Sequence, residues 1–434
     1  MFPTERDQEE AVTSALTMPQ SDDVSSGWPE TPPGADPLPG QLDRWLSARG
    51  AELVAVRRHL HAHPELSGRE FETAKLVFRQ LTAAGLSPRL LPNRNGVICD
   101  VPGNGTTSSV IALRADLDAL PLQDAKDVPY RSTVEGVCHA CGHDIHTTVL
   151  LGAGLALAKL ARRGELPGTV RLLFQPAEEN PPNGAPEVIA AGGLKDVSAI
   201  FGLHCAPQMP VGLVGVRSGP FTAATDIVEV RLKGPGGHTA RAHLTTDLVH
   251  ALGRVVVDVP ALLDRRIDAR CGVSMVFGAI RAGEAANAIP SEGFARATVR
   301  VLGREAWREM PDLVTNLIHD VVAATGAQAD VAYRRGVPPV VNDRVATAVI
   351  AGAAAAALGQ DSVVEAELSM GGEDFAFYLE QVPGSMIRLG CGTPGATTKS
   401  DIHQPSFDAD ERSIAHGVRV LVHTALAALS SPGF

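Results

Sequence analysis

The chain is poor in aromatic residues and has no long apolar run. Phe, Trp and Tyr make up only 4% of its 434 residues. The longest apolar stretch, around Thr148–Leu160, is interrupted by glycines and a lysine, whereas a membrane span needs roughly 18 to 20 apolar residues. Residues 1–20 are acidic and lack the basic and apolar regions of an ordinary signal peptide. We therefore expect no membrane association and, by default, a cytoplasmic location.

An excess of positive charge is also missing, as is a disulfide framework. The formal net charge is −11 at pH 7, which argues against a nucleic-acid partner because phosphate binding needs a basic surface. Six cysteines in a chain of this length do not form a disulfide framework. Cys138 and Cys141 instead lie among histidines, which in a reducing compartment indicates metal or redox chemistry.

The length and the order of patterns predict two domains after a disordered tail, residues 1–40, that is rich in Pro, Ser, Asp and Glu. Strand and helix patterns alternate in residues 41–219 and 336–434, which predicts an α/β domain with a central, mostly parallel sheet flanked by helices. Its predicted elements include strands Val97–Val101, Val110–Leu113, Thr169–Phe174 and Ala199–His204 and a helix Thr147–Ala161. Residues 220–335 follow the order βαββαβ, which predicts an inserted ferredoxin-like α+β domain.

The segment Cys138–His146 (CHACGHDIH) places six potential metal ligands within nine residues, before the predicted helix. A structural zinc site would need a second Cys/His pair, which the sequence lacks. A redox CxxC motif would leave the histidines unexplained, and the order of a zinc deaminase motif is absent. A chance cluster is the remaining alternative. We interpret the segment as part of a metal site.

Two adjacent acids, Glu178 and Glu179, follow the predicted strand Thr169–Phe174. Open α/β sheets place their sites at the carboxyl ends of strands. One carboxylate could bind metal while its neighbour transfers protons, as metal-assisted hydrolysis requires. His204 ends the next predicted strand, and this coincidence favours a ligand over a core histidine.

Three further motifs carry weaker signals. His403 in DIHQP gives little evidence by itself, and the glycines before His238 (GPGGHTA) indicate only a turn. A second acid pair, Glu373 and Asp374, opens an apparent helix, so capping or loop ordering is the favoured interpretation.

Together, HACGHDIH, QPAEE, GLH, GGH and GGEDF occur in an order that resembles the M20 metallopeptidase family. The branch it resembles contains aminoacylases, hippurate hydrolases and indole-acetyl-amino-acid hydrolases. The resemblance extends from about Arg57 to His403 and beyond, and it implies a metal-dependent amidohydrolase that cleaves small N-acyl or aroyl amino acids. It implies two divalent ions, zinc or manganese with cobalt or nickel as alternatives, held by Cys141, His143, Glu179, His204 and His403.

The resemblance also implies roles for other residues. Glu178 matches the general acid/base, and Asp116 matches an acid that orients a ligand. His238 matches a histidine that a partner subunit contributes to stabilise the oxyanion, while Asn287 and Arg300 match residues that hold the substrate carboxylate. A homodimer through the inserted domain, which acts as a lid, is the implied assembly.

Three positions depart from the pattern of the branch. Pro235 stands in place of the usual Lys, Ala242 replaces the Pro before His243, and Cys138 replaces a usual Met. The first two changes concern the loop that carries His238. Rival hypotheses are a dipeptidase or aminopeptidase on the same scaffold, a non-catalytic binding protein and a CxxC redox protein.

Overall fold

The computed structural model describes residues 38–396, 400–431 and 433. The predicted tail lies outside the described residues except for residues 38–40, which open helix α1 (Leu38–Ala62). The chain divides into two compact units. The first contains the residues up to Ser218, Asn342–Glu367 and Tyr378–Phe434, and the second contains Gly219–Val341 and Leu368–Phe377.

The first unit is built on one eight-stranded sheet with the order β1-β2-β4-β3-β5-β16-β6-β15. Its strands are β1 (Arg89–Leu90), β2 (Val97–Val101), β3 (Val110–Asp116), β4 (Thr169–Gln175), β5 (Val197–Pro210), β6 (Val214–Val216), β15 (Val363–Glu365) and β16 (Gly384–Gly392). The strands β4, β3, β5 and β16 run parallel to one another, whereas β1-β2, β2-β4 and β16-β6 are antiparallel. The predicted α/β class is confirmed, and the sheet is mixed, with four parallel and three antiparallel strand pairings.

Strand pairing brings distant parts of the sequence to the same edge of this sheet. Asp116 at the end of β3 pairs with Gln175 at the end of β4. Arg114 pairs with Gly202 on β5, so His204 lies level with Asp116. Because parallel strands share a carboxyl edge, the residues after β4 and those on β5 meet there.

Helices flank the sheet and bury one large apolar core. They are α1, α2 (Phe71–Ala83), α3 (His143–Arg162), α4 (Ala185–Ala190), α7 (Arg344–Leu358), α8 (Ala376–Leu379) and α9 (Arg412–Leu429). Helix α3 is apolar and long enough to cross a membrane by composition, but 89% of its apolar window is buried inside the protein. It is therefore the core helix of this unit.

Helix α3 begins at His143, four residues before the predicted start at Thr147. The reason is Gly142, which precedes the helix in the left-handed conformation with φ 87°. Its carbonyl oxygen accepts hydrogen bonds from the backbone N–H groups of Ile145 and His146. The second half of the Cys/His segment is therefore the first turn of a helix rather than a loop.

The second unit contains a four-stranded antiparallel sheet with the order β10-β12-β8-β13. Its chain order is β8 (Ala224–Lys233), α5 (Leu248–Leu263), β10 (Val273–Ala282), β12 (Glu292–Val301), α6 (Arg304–Ala323) and β13 (Gln328–Val337). The apolar faces of α5 and α6 pack on one side of this sheet. Short strands β9 (Gly237–His238) and β11 (Ala288–Ile289) pair with each other, as do β7 (Gly219–Thr222) and β14 (Val340–Asn342).

Candidate metal centre

The five predicted metal ligands converge at the carboxyl edge of the first unit's sheet. Cys141 Sγ lies 3.4 Å from His204 Nε2. Glu179 Oε1 lies 3.8 Å from His143 Nε2 and 3.2 Å from His403 Nε2. These residues come from the loop before α3, the first turn of α3, the turn after β4, strand β5 and the segment before α9. The structure thus brings together groups that are far apart in the sequence.

The donor atoms form two overlapping groups that share one thiol. Cys141, His143 and His204 form the first group, and Cys141, Glu179 and His403 form the second, with the donors of each group within 4.8 Å of one another. A further group of the same size contains His143, Glu178 and Glu179. Cys141 belongs to both of the first two groups, so its thiolate would help to hold the ions of either group.

Two buried polar atoms in this cluster lack a hydrogen-bond partner among the described residues, namely His143 Nε2 and Glu179 Oε1. Leaving such atoms unpaired costs about 1–3 kcal/mol each. A cation between them would satisfy both. Thiolate, imidazole and carboxylate donors suit a divalent ion such as zinc, so the residues present fit a metal centre.

His204 is held in the state that a ligand needs. Its Nδ1 donates to the carbonyl oxygen of Cys205 over 2.8 Å, which leaves Nε2 directed at Cys141. Burial, together with the nearby Arg388, lowers the pKa of His204 well below its ordinary value. The imidazole is therefore neutral, as metal binding requires.

Asp118 holds two of the ligands at once. Its Oδ1 lies 3.2 Å from His143 Nδ1, and its Oδ2 accepts hydrogen bonds from the Ser67 hydroxyl at 2.6 Å and from the Glu179 backbone N–H at 3.0 Å. A carboxylate behind a metal-binding histidine fixes its ring and tautomer. The resemblance implies an orienting acid at Asp116, and the alternation Asp116-Leu-Asp118 in the sequence indicates a second one.

Asp116 has different partners. It accepts hydrogen bonds from Arg114 and from His146 Nδ1, each over 2.6 Å, and its Oδ2 lies 3.9 Å from His143 Nε2. His146 Nε2 in turn accepts from the Cys205 backbone N–H over 2.8 Å. Asp116, His143 and His146 could hold an ion by proximity, but both ring nitrogens of His146 are already engaged. We therefore regard His146 as a support for the strand that carries His204.

The remaining potential ligands of the Cys/His segment serve other purposes. Asp144 Oδ2 accepts from Arg57 Nε over 2.8 Å and lies 2.7 Å from His61 Nδ1, within a buried ion network. Burial lowers the pKa of His139 to about 4 and raises that of Cys138 to about 11. Redox-active thiols have lowered pKa values, so the state of Cys138 argues against the CxxC redox hypothesis.

The electrostatic environment of the cluster favours added positive charge. Burial alone would lower the pKa of His143, but Asp116, Cys141 and Asp118 raise it well above its ordinary value. Burial and the charge of Glu179 raise the pKa of the Cys141 thiol. Protons therefore occupy this site when no cation does, and a bound metal would displace them.

A buried carboxylate that the sequence prediction missed supports the turn that carries Glu178 and Glu179. Ala177 adopts φ 50°, a left-handed conformation that is rare outside glycine. Its backbone N–H donates to Glu70 Oε1 over 2.7 Å. Glu70 is completely buried and also accepts from the backbone N–H of Gly68 at 2.8 Å and from Asn95 Nδ2 at 3.2 Å. Burial, followed by the charge of Asp118, raises the pKa of Glu70 to about 7.

His403 approaches the cluster from an unusual backbone conformation. Its φ is 61°, and its N–H donates to the carbonyl oxygen of Ala140 over 2.7 Å. The nearby carboxylate of Glu179, 3.2 Å away, raises the pKa of this half-exposed imidazole. Strained backbone of this kind is concentrated at functional sites.

The other predicted site residues lie in the second unit. His238 and Asn287 are exposed residues at the β9-β11 ribbon, where His238 pairs with Ala288 and the carbonyl oxygen of Asn287 accepts from the Thr239 N–H at 3.2 Å. Arg300 on β12 donates to Thr225 Oγ1 over 3.4 Å and to the carbonyl oxygen of Met370.

The acid pair Glu373 and Asp374 also belongs to the second unit. Glu373 Oε1 accepts from the Phe375 N–H at 3.0 Å, and the Asp374 carbonyl oxygen accepts from the Phe377 N–H at 3.0 Å. These contacts agree with the predicted loop-ordering role.

Comparison with known proteins identifies relatives along most of the chain. A Rhodococcus jostii protein whose name refers to a glutamate–cysteine ligase is 49% identical over 371 residues, which cover 86% of this chain and 46% of that protein. The chain thus spans about half the length of that relative. N-acetylcysteine deacetylase from Bacillus subtilis is 38% identical over 380 residues, covering 87% of this chain and 97% of that protein.

A solved structure and a family profile agree with these matches. The crystal structure of a dinuclear metal-binding peptidase of the M20 family from Bacillus subtilis superposes with a TM-score of 0.78 at 36% identity, covering 89% of this chain and 99% of that one. The sequence profile of peptidase family M20/M25/M40 matches residues 112–427. This match covers well over half of the chain, and the chain therefore belongs to peptidase family M20/M25/M40 as a metal-dependent amidohydrolase.

Proposed function

We propose that the protein hydrolyses the amide bond of N-acyl or aroyl amino acids and releases a carboxylic acid and a free amino acid. The observation that carries this proposal is the convergence of Cys141, His143, Glu179, His204 and His403, with Glu178 next to them in the same donor cluster. The relative named N-acetylcysteine deacetylase supports the substrate class.

The five converging residues would hold two divalent ions. The thiolate of Cys141 favours zinc, and the carboxylate and imidazole donors also suit manganese, cobalt or nickel. Bound ions of this kind polarise a carbonyl oxygen and lower the pKa of water toward 7. Asp118 would keep His143 and Glu179 in position while substrate enters and product leaves.

Glu178 is the proposed proton carrier. It takes a proton from the attacking water as the water oxygen bonds to the scissile carbonyl carbon. It then gives this proton to the amide nitrogen as the carbon–nitrogen bond breaks, so the amine leaves in neutral form. Glu70 accepts a hydrogen bond from the Ala177 N–H and so fixes the turn before Glu178. This support would keep the Glu178 carboxylate in one position.

His238 is the proposed donor to the oxyanion. Its Nδ1 accepts the backbone N–H of Ala240 at 3.1 Å, so in the neutral ring the proton resides on Nε2. That N–H is then available to a developing negative charge. Asn287 and Arg300 would bind the α-carboxylate of the substrate, for which a guanidinium offers paired donors.

A homodimer through the second unit is part of the proposal. Strand β10 is an edge strand of ten residues, and its Val276 and Ile280 are 59% and 51% exposed. Helix α5, which packs beside β10, exposes Val249 and Val257. A long exposed apolar edge offers a template for pairing with another chain, and light scattering would measure the mass of the assembly directly.

We also propose a cytoplasmic location. All six cysteines, each within the described part of the chain, are free thiols. Free thiols suit a reducing compartment.

The central test is Glu178→Gln. The variant should lose at least ~10²-fold in kcat for an N-acyl amino acid, as expected for a general base, while its metal content, measured by plasma mass spectrometry, stays unchanged. Glu135→Gln, which changes an exposed acid of the same unit, is the matched control and should keep full activity. Full activity of the Glu178→Gln variant would contradict the proposed mechanism.

Substrate class needs a separate experiment. Turnover of N-acetyl amino acids and hippurate should exceed that of free dipeptides when the chelated enzyme is reloaded with zinc, manganese or cobalt. Faster turnover of dipeptides would assign the protein to the peptidases of the family instead. Full activity of the chelated, metal-free protein would contradict the metal mechanism itself.

A further inference from the structure

Arg57 is a completely buried arginine of α1 that lies outside the donor cluster of the metal centre. Its Nε donates to Asp144 Oδ2 over 2.8 Å, and its Nη2 donates to Asp408 Oδ1 over 2.6 Å. A third carboxylate, that of Glu411, accepts from Nη1 over 3.3 Å. A buried charge is tolerated only while it stays paired, so these contacts fix the segments that carry the acids.

The two segments that Arg57 joins each carry a proposed metal ligand. Asp144 directly follows His143 in the first turn of α3. Asp408 lies five residues after His403, in the stretch that leads to α9. The guanidinium therefore connects the segment of a ligand from the first donor group to the segment of a ligand from the second.

The carboxylate of Asp408 is held on both of its oxygens. Besides Arg57, its Oδ1 accepts from the backbone N–H of Ala409 over 2.9 Å. Its Oδ2 accepts from the Tyr130 hydroxyl over 2.7 Å, and Arg57 Cζ lies 4.8 Å from the centroid of the Tyr130 ring. Two fixed oxygens leave the Asp408 side chain little freedom to rotate, so the adjoining backbone is held in place as well.

A second series of contacts runs from the first turn of α3 to the same segment. His61 Nδ1 lies 2.7 Å from Asp144 Oδ2, and its Nε2 lies 3.4 Å from Asp124 Oδ2. The backbone N–H of Ala125, the next residue, donates to the carbonyl oxygen of Pro405 over 3.0 Å. The segment after the last ligand is thus anchored at two points to the network around Asp144.

His403 needs such support more than the other histidine ligands do. It has φ 61°, and half of its side chain is exposed. By contrast, His143 and His204 are buried. Asp118 orients the first of these rings, and the carbonyl oxygen of Cys205 orients the second. Residues in sparsely populated backbone conformations persist only where the surrounding structure over-determines them, so the anchors of its segment decide where the His403 ring lies.

We propose that Arg57 and Asp408 are positioning residues that hold the segment of His403 against the first turn of α3. Through this link they raise the affinity of the second donor group, namely Cys141, Glu179 and His403, for its ion. They act on the backbone that carries the imidazole and not on the ion itself. This role rests on the ligand set of the proposed function, to which it adds two residues outside the donor cluster.

Asp408→Ala tests this role in the full-length protein loaded with zinc. The variant removes the anchor but leaves Arg57 with Asp144 and Glu411. Because the Asp408 side chain is 29% exposed, the first unit should still fold. Competition with a chromophoric chelator measures the affinity for each of the two ions. One ion should be bound ~10- to 100-fold more weakly, the usual effect of losing a residue that supports a ligand, and the affinity for the other should change by less than about 3-fold.

A second variant identifies which ion is affected. His403→Gln should lose the ion of the second donor group and keep that of the first. If Asp408 acts only through the segment of His403, adding Asp408→Ala to His403→Gln should leave the affinity for the remaining ion unchanged. A general loss of structure would instead weaken the binding of the remaining ion as well, so this double variant separates positioning from destabilisation.

Two conservative variants test the two ends of the link. Asp408→Asn keeps an oxygen that accepts from Arg57 and from the Ala409 N–H, so it should lose less affinity than Asp408→Ala. Arg57→Lys keeps the buried positive charge but lacks the fork of donors that reaches Asp144 and Asp408 together. It should weaken the binding of the same ion as Asp408→Ala does.

The matched control is Asp410→Ala. Asp410 lies two residues after Asp408 and pairs with Arg412 at 2.6 Å rather than with Arg57. Its loss breaks an ion pair in the same segment without releasing the anchor. Both ions should therefore be bound as tightly as in the unaltered protein.

Several results would overturn the positioning role and leave the proposed function standing. They are unchanged affinity for both ions in Asp408→Ala, equal weakening of both ions in that variant, an equal loss in Asp410→Ala, and a weakened remaining ion in the double variant. Failure of the proposed function has a different signature, because the unaltered protein would then bind no zinc, or His403→Gln would bind two ions as tightly as the unaltered protein does. The positioning role would fall with it.

Discussion

Replacing Glu70 by Gln probes the buried carboxylate that supports the catalytic turn. Glutamine has the same shape, and its carbonyl oxygen can still accept the N–H groups of Gly68 and Ala177. Its amide can donate to Asn95 Oδ1, a buried atom with no hydrogen-bond partner among the described residues, once the Asn95 amide rotates. The substitution therefore mimics the protonated form of Glu70 and removes only its titration.

The expected magnitude follows from the pKa of Glu70, which is raised from 4.5 to about 7. Below pH 4.5 the carboxyl is protonated in both the folded and the unfolded chain, so it contributes no difference. Between these two pKa values the unfolded chain loses the proton more readily, which lowers the free energy of unfolding as pH rises. The loss is complete above pH 7 and amounts to about 3 kcal/mol. The Glu70→Gln variant should not show this loss of stability, because its glutamine does not titrate.

Urea unfolding of the metal-loaded protein, followed by circular dichroism at pH 5 and pH 8, measures this difference. The two proteins should have similar unfolding free energies at pH 5, and the variant should be more stable by about 2–3 kcal/mol at pH 8. Glu72→Gln, which changes an exposed acid two residues away, is the matched control and should show no such dependence. A constant difference between wild type and Glu70→Gln at the two pH values would refute the reasoning.

Further predictions concern the metal cluster. Gly142→Ala should destabilise the first unit by about 1–3 kcal/mol, because the residue has φ 87° and its new Cβ would lie 2.9 Å from Cys205 Sγ. Thermal melts measure this loss of stability. The control Gly253→Ala, whose new Cβ meets open space within the described structure, should show no loss of stability. Asp118→Asn should weaken metal binding by about 10- to 100-fold in chelator competition, since it removes the charge behind His143. His204→Gln should lower the metal content, whereas His146→Gln should leave two ions bound, and loss of an ion in His146→Gln would make that residue a ligand.

Local sequence patterns predict the parts of the site that depend on strand ends. An apolar strand followed closely by Glu178 and Glu179 places both acids at a carboxyl edge, and the strand that contains His204 reaches the same edge. The predicted end of that strand at His204 is wrong, because β5 continues to Pro210. Parallel strands have only one such edge, so the meeting of these residues follows from the strand assignment. The α/β class is likewise predicted from the alternation of strand and helix patterns along the chain.

The supports of the site could not be predicted in this way. Glu70 lies 107 residues before Ala177 in sequence, and no local pattern links a helix-preceding glutamate to a turn after β4. Asp118 and Asp116 are equivalent in the sequence, and only the structure assigns one to His143 and the other to His146. The early start of α3 depends on the left-handed Gly142, which propensity alone does not reveal.

The position of β16 between β5 and β6 has a consequence for synthesis on the ribosome. Strand β5 ends at Pro210, but its neighbour begins at Gly384, after all of the second unit has been made. The nascent chain therefore keeps the edge of β5, with His204 on it, unpaired until β16 has been synthesised. The second unit can complete its own sheet meanwhile, whereas a prematurely terminated product would present an open apolar edge to chaperones and to other chains.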